Sequence, residues 1–140
     1  MRWITKWIWE QPLSERDEQT LIALDHDAGE EGQLAGYGTW GYVGSVGTRT
    51  ERHIEIGWFG VDQAYQGRRD DAGNRVADSI YATVETTALA DAQSSDDMPF
   101  TLVCEIDNAR GLRFWESHDY QLVPEPQSQV EDGIYYRMVR

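Results

Sequence analysis

The chain is poor in several things, and each shortage excludes something. It has a single cysteine, Cys104, so no internal disulfide framework can form. No apolar run approaches the roughly 18–20 residues that span a bilayer. The opening residues Met1-Arg2-Trp3-Ile4-Thr5-Lys6-Trp7 lack a secretory core, because Lys6 and Glu10 interrupt it. A soluble cytoplasmic protein with no membrane partner is therefore expected. Lysine is nearly missing: Lys6 stands alone among 12 basic residues, against 25 acidic ones and a net charge of −13. That balance repels phosphates and argues against a nucleic-acid partner. Acid-rich, lysine-poor composition is expected of a protein working in concentrated salt, where the Debye length falls to about 3 Å at 1 M. A GC-rich genome that prefers arginine codons is the other reading.

Metal-binding patterns are also missing. His26, His53 and His118 have no ligand spacing. Asp25-His26-Asp27 begins like a calcium loop but lacks the later ligands, so no metal is expected. Gly44-Ser45-Val46-Gly47 is not a nucleophile elbow, since Val43 precedes it, and reads as a turn. Cys104 sits in a core-like strand and reads as packing.

What is present suffices for one core. In 140 residues, 40% hydrophobic with six Trp and seven Tyr, a single domain spanning residues 1–140 is expected. Trp3 to Glu10 alternates with period two, as a strand does. Gln11 to Gln19 reads as a connection, Thr20 to Asp25 as a second strand and Gln33 to Val43 as a third, after a loop at Asp27–Gly32. His53 to Val61 is a fourth, with Ile54, Ile56 and Trp58 on one face and Glu55, Gly57 and Phe59 on the other. Val76, Ile80, Val84 and Ala88, with Tyr81 beside them, give a helix over about Ala72 to Ala92 an apolar stripe. Polar residues from Gln93 to Asp97 end it. Phe100 to Ile106 is a strand, Ala109 to Ser117 a second helix, and Tyr120–Val123 with Gly133–Val139 a final hairpin around Pro124 and Pro126. The order ββββ-α-β-α-ββ predicts a mixed α+β fold.

Two segments carry chemistry. Ile54 to Arg69 runs from a strand into a Gly/Arg loop that opens a helix, where unpaired N–H groups and a positive dipole end suit a pyrophosphate. Asn108-Ala109-Arg110-Gly111-Leu112-Arg113-Phe114-Trp115-Glu116-Ser117-His118-Asp119-Tyr120 follows a strand. It resembles the signature of the GNAT acetyltransferase superfamily: Asn, a small residue three places on, an aromatic pair at six and seven, and Gly-Phe at eleven and twelve. The upstream segment resembles that family's acetyl-CoA motif, in which Val closes the strand and Gln/Arg-x-x-Gly-x-Gly/Ala follows. The resemblance covers about residues 20 to 140.

That resemblance implies a mixed, mostly antiparallel sheet splayed between strands four and five, flanked by helices, with acetyl-CoA as acyl donor. Its pantetheine arm would pair with the backbone of Phe59, Gly60 and Val61. The phosphate loop has two registers. One starts at Gln66 and leaves Arg69 and Asp71 at the glycine places. The other starts at Arg68 with a two-residue insertion, making Gly73 the second glycine and Val76 the apolar place, and is preferred because it keeps the helix in phase. Gln66, Gly67, Arg68, Arg69, Ala72, Gly73 and Asn74 are thus the candidate loop contacts. Asn108 is either a ligand contact or a plain helix N-cap.

For amine acetylation the resemblance implies Glu55, six residues before Val61, as general base. The family's thiolate donor, a tyrosine, is replaced here by Trp115, which stays a cofactor-side candidate. Tyr120 is the candidate donor, with Tyr135 and Tyr136 as alternatives. The acceptor is a small-molecule or peptide amine. The family's two helices between its first two strands have only Gln11–Gln19 in their place, so the acceptor wall is missing or comes from elsewhere. A partner copy meeting a Trp3/Trp7/Trp9 edge is one source, and the same tryptophans also read as cover for the core. A second reading, favoured by Asp71 and Trp115, is a domain without catalysis that holds acyl-CoA or mediates assembly.

Overall fold

A computed structural model describes residues 3–7, 18–43, 53–92, 98–123, 129–130 and 135–140. Its elements are β1 (Trp3–Trp7), β2 (Gln19–Asp25), β3 (Gln33–Val43), β4 (His53–Val61), α1 (Val76–Asp91), β5 (Phe100–Glu105), α2 (Ala109–Ser117), β6 (Gln121–Leu122), β7 (Gln129–Val130) and β8 (Tyr135–Val139). The fold is mixed α+β. The chain gathers into two compact units, one of Met1–Gly41 with Gly57–Asp96, the other of Tyr42–Ile56 with Asp97–Arg140. Residues 11–17, the Gly44–Gly47 turn, residues 93–97, Pro124 and Pro126 lie outside the described residues, as do Trp9 and the side chains of Trp3 and Trp7.

In the first unit β1, β2, β3 and β4 lie side by side in that order, with β1–β2 and β2–β3 antiparallel. The β2–β3 register shifts between Ala23 and Leu24: Ala23 faces Gly36 and Leu24 faces Leu34. Ala35 is left as the extra residue of a bulge. Its carbonyl receives the Asp62 amide at 2.8 Å, which anchors the chain leaving β4. The expected stripe Val76, Ile80, Tyr81, Val84 and Ala88 is the face that α1 buries. Glycines bring the sheet close beneath it. A Cβ on Gly38 would stand 2.5 Å from Val84 Cγ2, and one on Gly36 would stand 2.6 Å from the Gly60 carbonyl oxygen and 2.8 Å from Ile80 Cδ1.

The helix begins at Val76, not at Ala72 as the sequence suggested. The reason is local competition. The Asp70 side chain accepts from the amides of Ala72 and Asn74 at 3.0 and 2.9 Å, and Gly73 has φ +85°, so residues 70–75 close on themselves instead of continuing α1.

One buried polar pair ties this unit together. The Tyr65 hydroxyl donates to Asp25 Oδ2 at 2.9 Å, and Asp25 Oδ1 accepts the Asp27 amide at 3.1 Å. Burial first, then the hydrogen bond and charge of Asp25, hold the Tyr65 phenol above its ordinary value of 10.0. Below about pH 10 the folded and unfolded chains both keep that proton, so this contribution is constant. Above it the unfolded chain loses the proton first, and stability falls as pH climbs toward the folded value. Tyr65→Phe is expected to cost about 1–3 kcal/mol at neutral pH. It should also flatten the decline measured by urea melts between about pH 9.5 and 11. Equal slopes in parent and variant would contradict the pairing.

In the second unit β4 begins parallel to β5, in a ladder of three pairs, Ile54↔Phe100, Glu55↔Thr101 and Ile56↔Leu102. β8 pairs antiparallel with β5 from Thr101↔Val139 to Glu105↔Tyr135, and β6 and β7 both pair with β8. β5 stops one residue before the expected Ile106. Of the expected final hairpin, β6 covers Gln121–Leu122 and β8 covers Tyr135–Val139, with the two-residue β7 added, while Gly133 lies outside the described residues. Ile54, Ile56, Phe100, Leu102, Cys104, Trp115, Tyr120 and Met138 are buried.

Candidate functional site

The first unit carries the strand-loop-helix segment. Phe59 packs edge-on against Tyr81, with ring centroids 6.1 Å apart, and Phe59 and Val61 both lie on the core cluster of Ala23, Ala35, Tyr65, Val76 and Ile80. The chain then makes a tight turn, with the Tyr65 and Gln66 amides donating to the Asp62 carbonyl and Gln66 Nε2 donating to the Val61 carbonyl at 2.9 Å. Gly67, at φ +75°, swings the chain outward in a conformation that disfavours side chains.

Arg68, Arg69 and Asp70 in the loop beyond each have internal partners. The Arg68 guanidinium lies 4.9 Å from the Tyr65 ring centroid and donates to the Ala64 carbonyl. Arg69 donates to the Gly73 carbonyl at 2.7 Å. Asp70 takes the amides of Ala72 and Asn74 and the Ser79 hydroxyl at 2.6 Å, while the Gly73 amide donates to the Asp70 carbonyl. Gly73 has left-handed backbone, and Val76, the apolar place of the register starting at Arg68, is buried in the first turn of α1. The loop fits a diphosphate through the exposed guanidinium groups of Arg68 and Arg69. The amides of Ala72 and Asn74 already hold the Asp70 carboxylate, and the Gly73 amide the Asp70 carbonyl.

The alternation read into β4 breaks in this unit. A Cβ on Gly57 would meet Thr39 Oγ1 and Glu18 Oε2, each at 2.6 Å, whereas one on Gly60 would meet the Tyr37 ring at 2.8 Å. Thr39 and Tyr37 share the face of β3 away from α1, because Gly36 and Gly38 between and beside them face Ile80 and Val84. Gly57 and Gly60 therefore face the same way although three residues apart, which requires one extra residue between them. The Trp58 amide donates to the Thr39 hydroxyl at 2.7 Å. Trp58 is 68% exposed instead of lying on the apolar face, and Phe59 turns to α1. Glu18 and Tyr37 were missed by sequence reasoning; the one trace of them was the pair of glycines three apart in a strand.

The second unit carries the remaining candidates. Glu55 is half-buried and lies 3.9 Å from the Arg137 guanidinium. Asn108 is the N-cap of α2, its Oδ1 accepting the Gly111 amide at 2.9 Å. A Cβ on Gly111 would stand 2.5 Å from Asn108 Nδ2, so the small residue of the signature makes room for the cap. Asp119 has φ +68°, which explains why glycine suits that place and how Asp tolerates it. Trp115 is buried between Phe114 and Tyr120, with ring centroids 4.9 and 5.4 Å away. Tyr120 is itself only 1% exposed. Burial pushes the Cys104 thiol up, and Glu105 adds to it, consistent with packing. Among the described residues, no three His, Cys, Asp or Glu side chains gather as a metal site, and no helix is long and apolar enough to cross a membrane.

No family model matches the sequence, and no curated protein matches it. Solved structures do. Arabidopsis thaliana NAA60 in complex with acetyl-CoA is similar at a TM-score of 0.68 and 12% identity, over 99% of this chain and 98% of that one. Arabidopsis thaliana Naa50 with the bisubstrate analogue CoA-Ac-MVNAL is similar at 0.59 and 13%, over 86% and 71%. Nourseothricin acetyltransferase is similar at 0.61 and 18%, over 89% and 65%. The chain has the GNAT fold.

Proposed function

We propose that this chain, taken as a single functional domain, is an acyl-CoA-dependent N-acyltransferase that moves an acetyl group from acetyl-CoA to a primary amine by direct attack. The observation that carries the reading is the β4–loop–α1 segment, with exposed Arg68 and Arg69, inside a fold shared with acetyltransferases. Bound acetyl-CoA supplies an activated acetyl thioester. The backbone of Phe59, Gly60 and Val61 would hold its pantetheine arm, and Arg68 and Arg69 its diphosphate. Glu55 takes the proton that the amine nitrogen loses as it bonds to the acetyl carbon; the thioester C–S bond breaks, and CoA leaves as its thiolate, which takes a proton from water. Tyr120, enclosed against Trp115, serves the packing of α2 better than it serves a leaving sulfur, and the reading asks no proton from it.

A ligand that binds only the folded chain must stabilise it, by about 2.7 kcal/mol at 100 times its Kd. Acetyl-CoA is therefore expected to raise Tm. The Arg68→Glu, Arg69→Glu double variant should weaken that shift, most strongly at low salt. No shift at millimolar acetyl-CoA would remove the proposal. The amides engaged by Asp70 favour a second reading, in which the domain holds acyl-CoA without turning it over.

A further inference from the structure

The sheet face of the first unit that turns away from α1 carries an arrangement that the donor site does not use. On β4, Gly57 and Gly60 both lack side chains on that face, and neighbouring side chains lie directly against the strand. Glu18 Oε2 and Thr39 Oγ1 occupy the place of a Gly57 side chain, and the Tyr37 ring that of a Gly60 side chain. Glu18 and Tyr37 are both exposed. Tyr37 and Thr39 are two residues apart on one face of β3, so ring and carboxylate are neighbours along it. The stretch between the two glycines, Trp58 and Phe59, runs into the backbone proposed to hold the thioester arm.

We propose that Glu18, with Tyr37 and Thr39, receives the acceptor, and that the acceptor is a cationic primary amine. This rests on the acyl-transfer reading and names its second substrate class. A carboxylate gives an ammonium a charge-assisted hydrogen bond, stronger than a neutral one. The face of a tyrosine ring attracts the same cation or covers the carbon beside it. Thr39, whose oxygen accepts the Trp58 amide, fixes the strand at the point where Glu18 rests. A chain of net charge −13 favours the approach of cationic acceptors and slows anionic ones.

The test uses the full chain with three acceptors: an alkylamine protonated at neutral pH, an arylamine neutral there, and a short peptide with a free N-terminus. Glu18→Gln should raise KM for the alkylamine by about 10-fold or more, as loss of a charged hydrogen bond does. Its kcat, the arylamine KM and the acetyl-CoA affinity should stay within about twofold. Gly57→Ala, which displaces the carboxylate but keeps its charge, should raise the alkylamine KM similarly. Tyr37→Leu should do so more than Tyr37→Phe. The peptide sharing the Glu18→Gln effect identifies N-termini as acceptors, and the alkylamine alone sharing it identifies small molecules. Calorimetric titration of the alkylammonium into parent and Glu18→Gln protein reads binding without turnover. If the parent binds it and the variant does not, the site stands even where transfer fails. An unchanged alkylamine KM, or equal rises for alkylamine and arylamine, overturns the proposal.

Discussion

Glu55→Gln is expected to lower kcat for a primary amine by about 10²–10⁴-fold, the usual worth of general-base catalysis, with acetyl-CoA affinity unchanged. The substitution keeps size and polarity but cannot take a proton. Raising the pH should partly restore the variant, because more amine then arrives already neutral. Glu55 has a competing structural role: its carboxylate lies 3.9 Å from the Arg137 guanidinium, and both side chains are more than a third exposed. Such pairs contribute little to stability, typically under about 1 kcal/mol. A structural residue would thus shift Tm slightly and leave kcat alone. Steady-state kinetics with Tm measured on the same samples separates the two, and turnover within about twofold of the parent would reduce Glu55 to the structural role.

Gly36→Ala is expected to be the most damaging single methyl in the first unit. The added Cβ would stand 2.6 Å from the Gly60 carbonyl oxygen and 2.8 Å from Ile80 Cδ1. Ile80 can change rotamer, but the carbonyl belongs to the neighbouring strand and can move only with β4. Overpacking of this kind costs about 1–3 kcal/mol or more, a Tm loss of roughly 3–10 °C or more for a chain of this size. Because the displaced strand segment is the one proposed to hold the pantetheine arm, acetyl-CoA binding should weaken too. Gly67→Ala is the control: its Cβ would meet nothing within 4 Å, leaving only the cost of φ +75°, about 1 kcal/mol. Equal losses in the two variants would contradict the packing described here.

The regular elements were legible because each carries a run at strand or helix spacing long enough to survive the local bulges in β3 and β4. Gln33–Val43, His53–Val61 and Ala109–Ser117 carry the limits expected of them, and the every-fourth-residue stripe of α1 is the face it buries. The missed features depend on side chains capturing backbone groups. Asp70 holds the amides of residues 72 and 74 and delays α1 by four residues; no pattern of apolar residues records that. The extra residue in β4 leaves residues 53–61 reading as plain alternation. Only contacts from Thr39, Glu18 and Tyr37 reveal that Gly57 and Gly60 share a face. Asn108 was legible as a cap, and the requirement for Gly111 follows from that cap's own geometry.

The central claim is acetyl transfer from acetyl-CoA, and CoA thiol release by the full-length protein tests it most directly. With a cationic primary amine present, release is predicted to be enzyme-dependent, to saturate in both substrates, and to match the N-acetylated product mole for mole by mass spectrometry. Acetyl-CoA binding with no thiol released above the protein-free rate, whatever amine is offered, would contradict it.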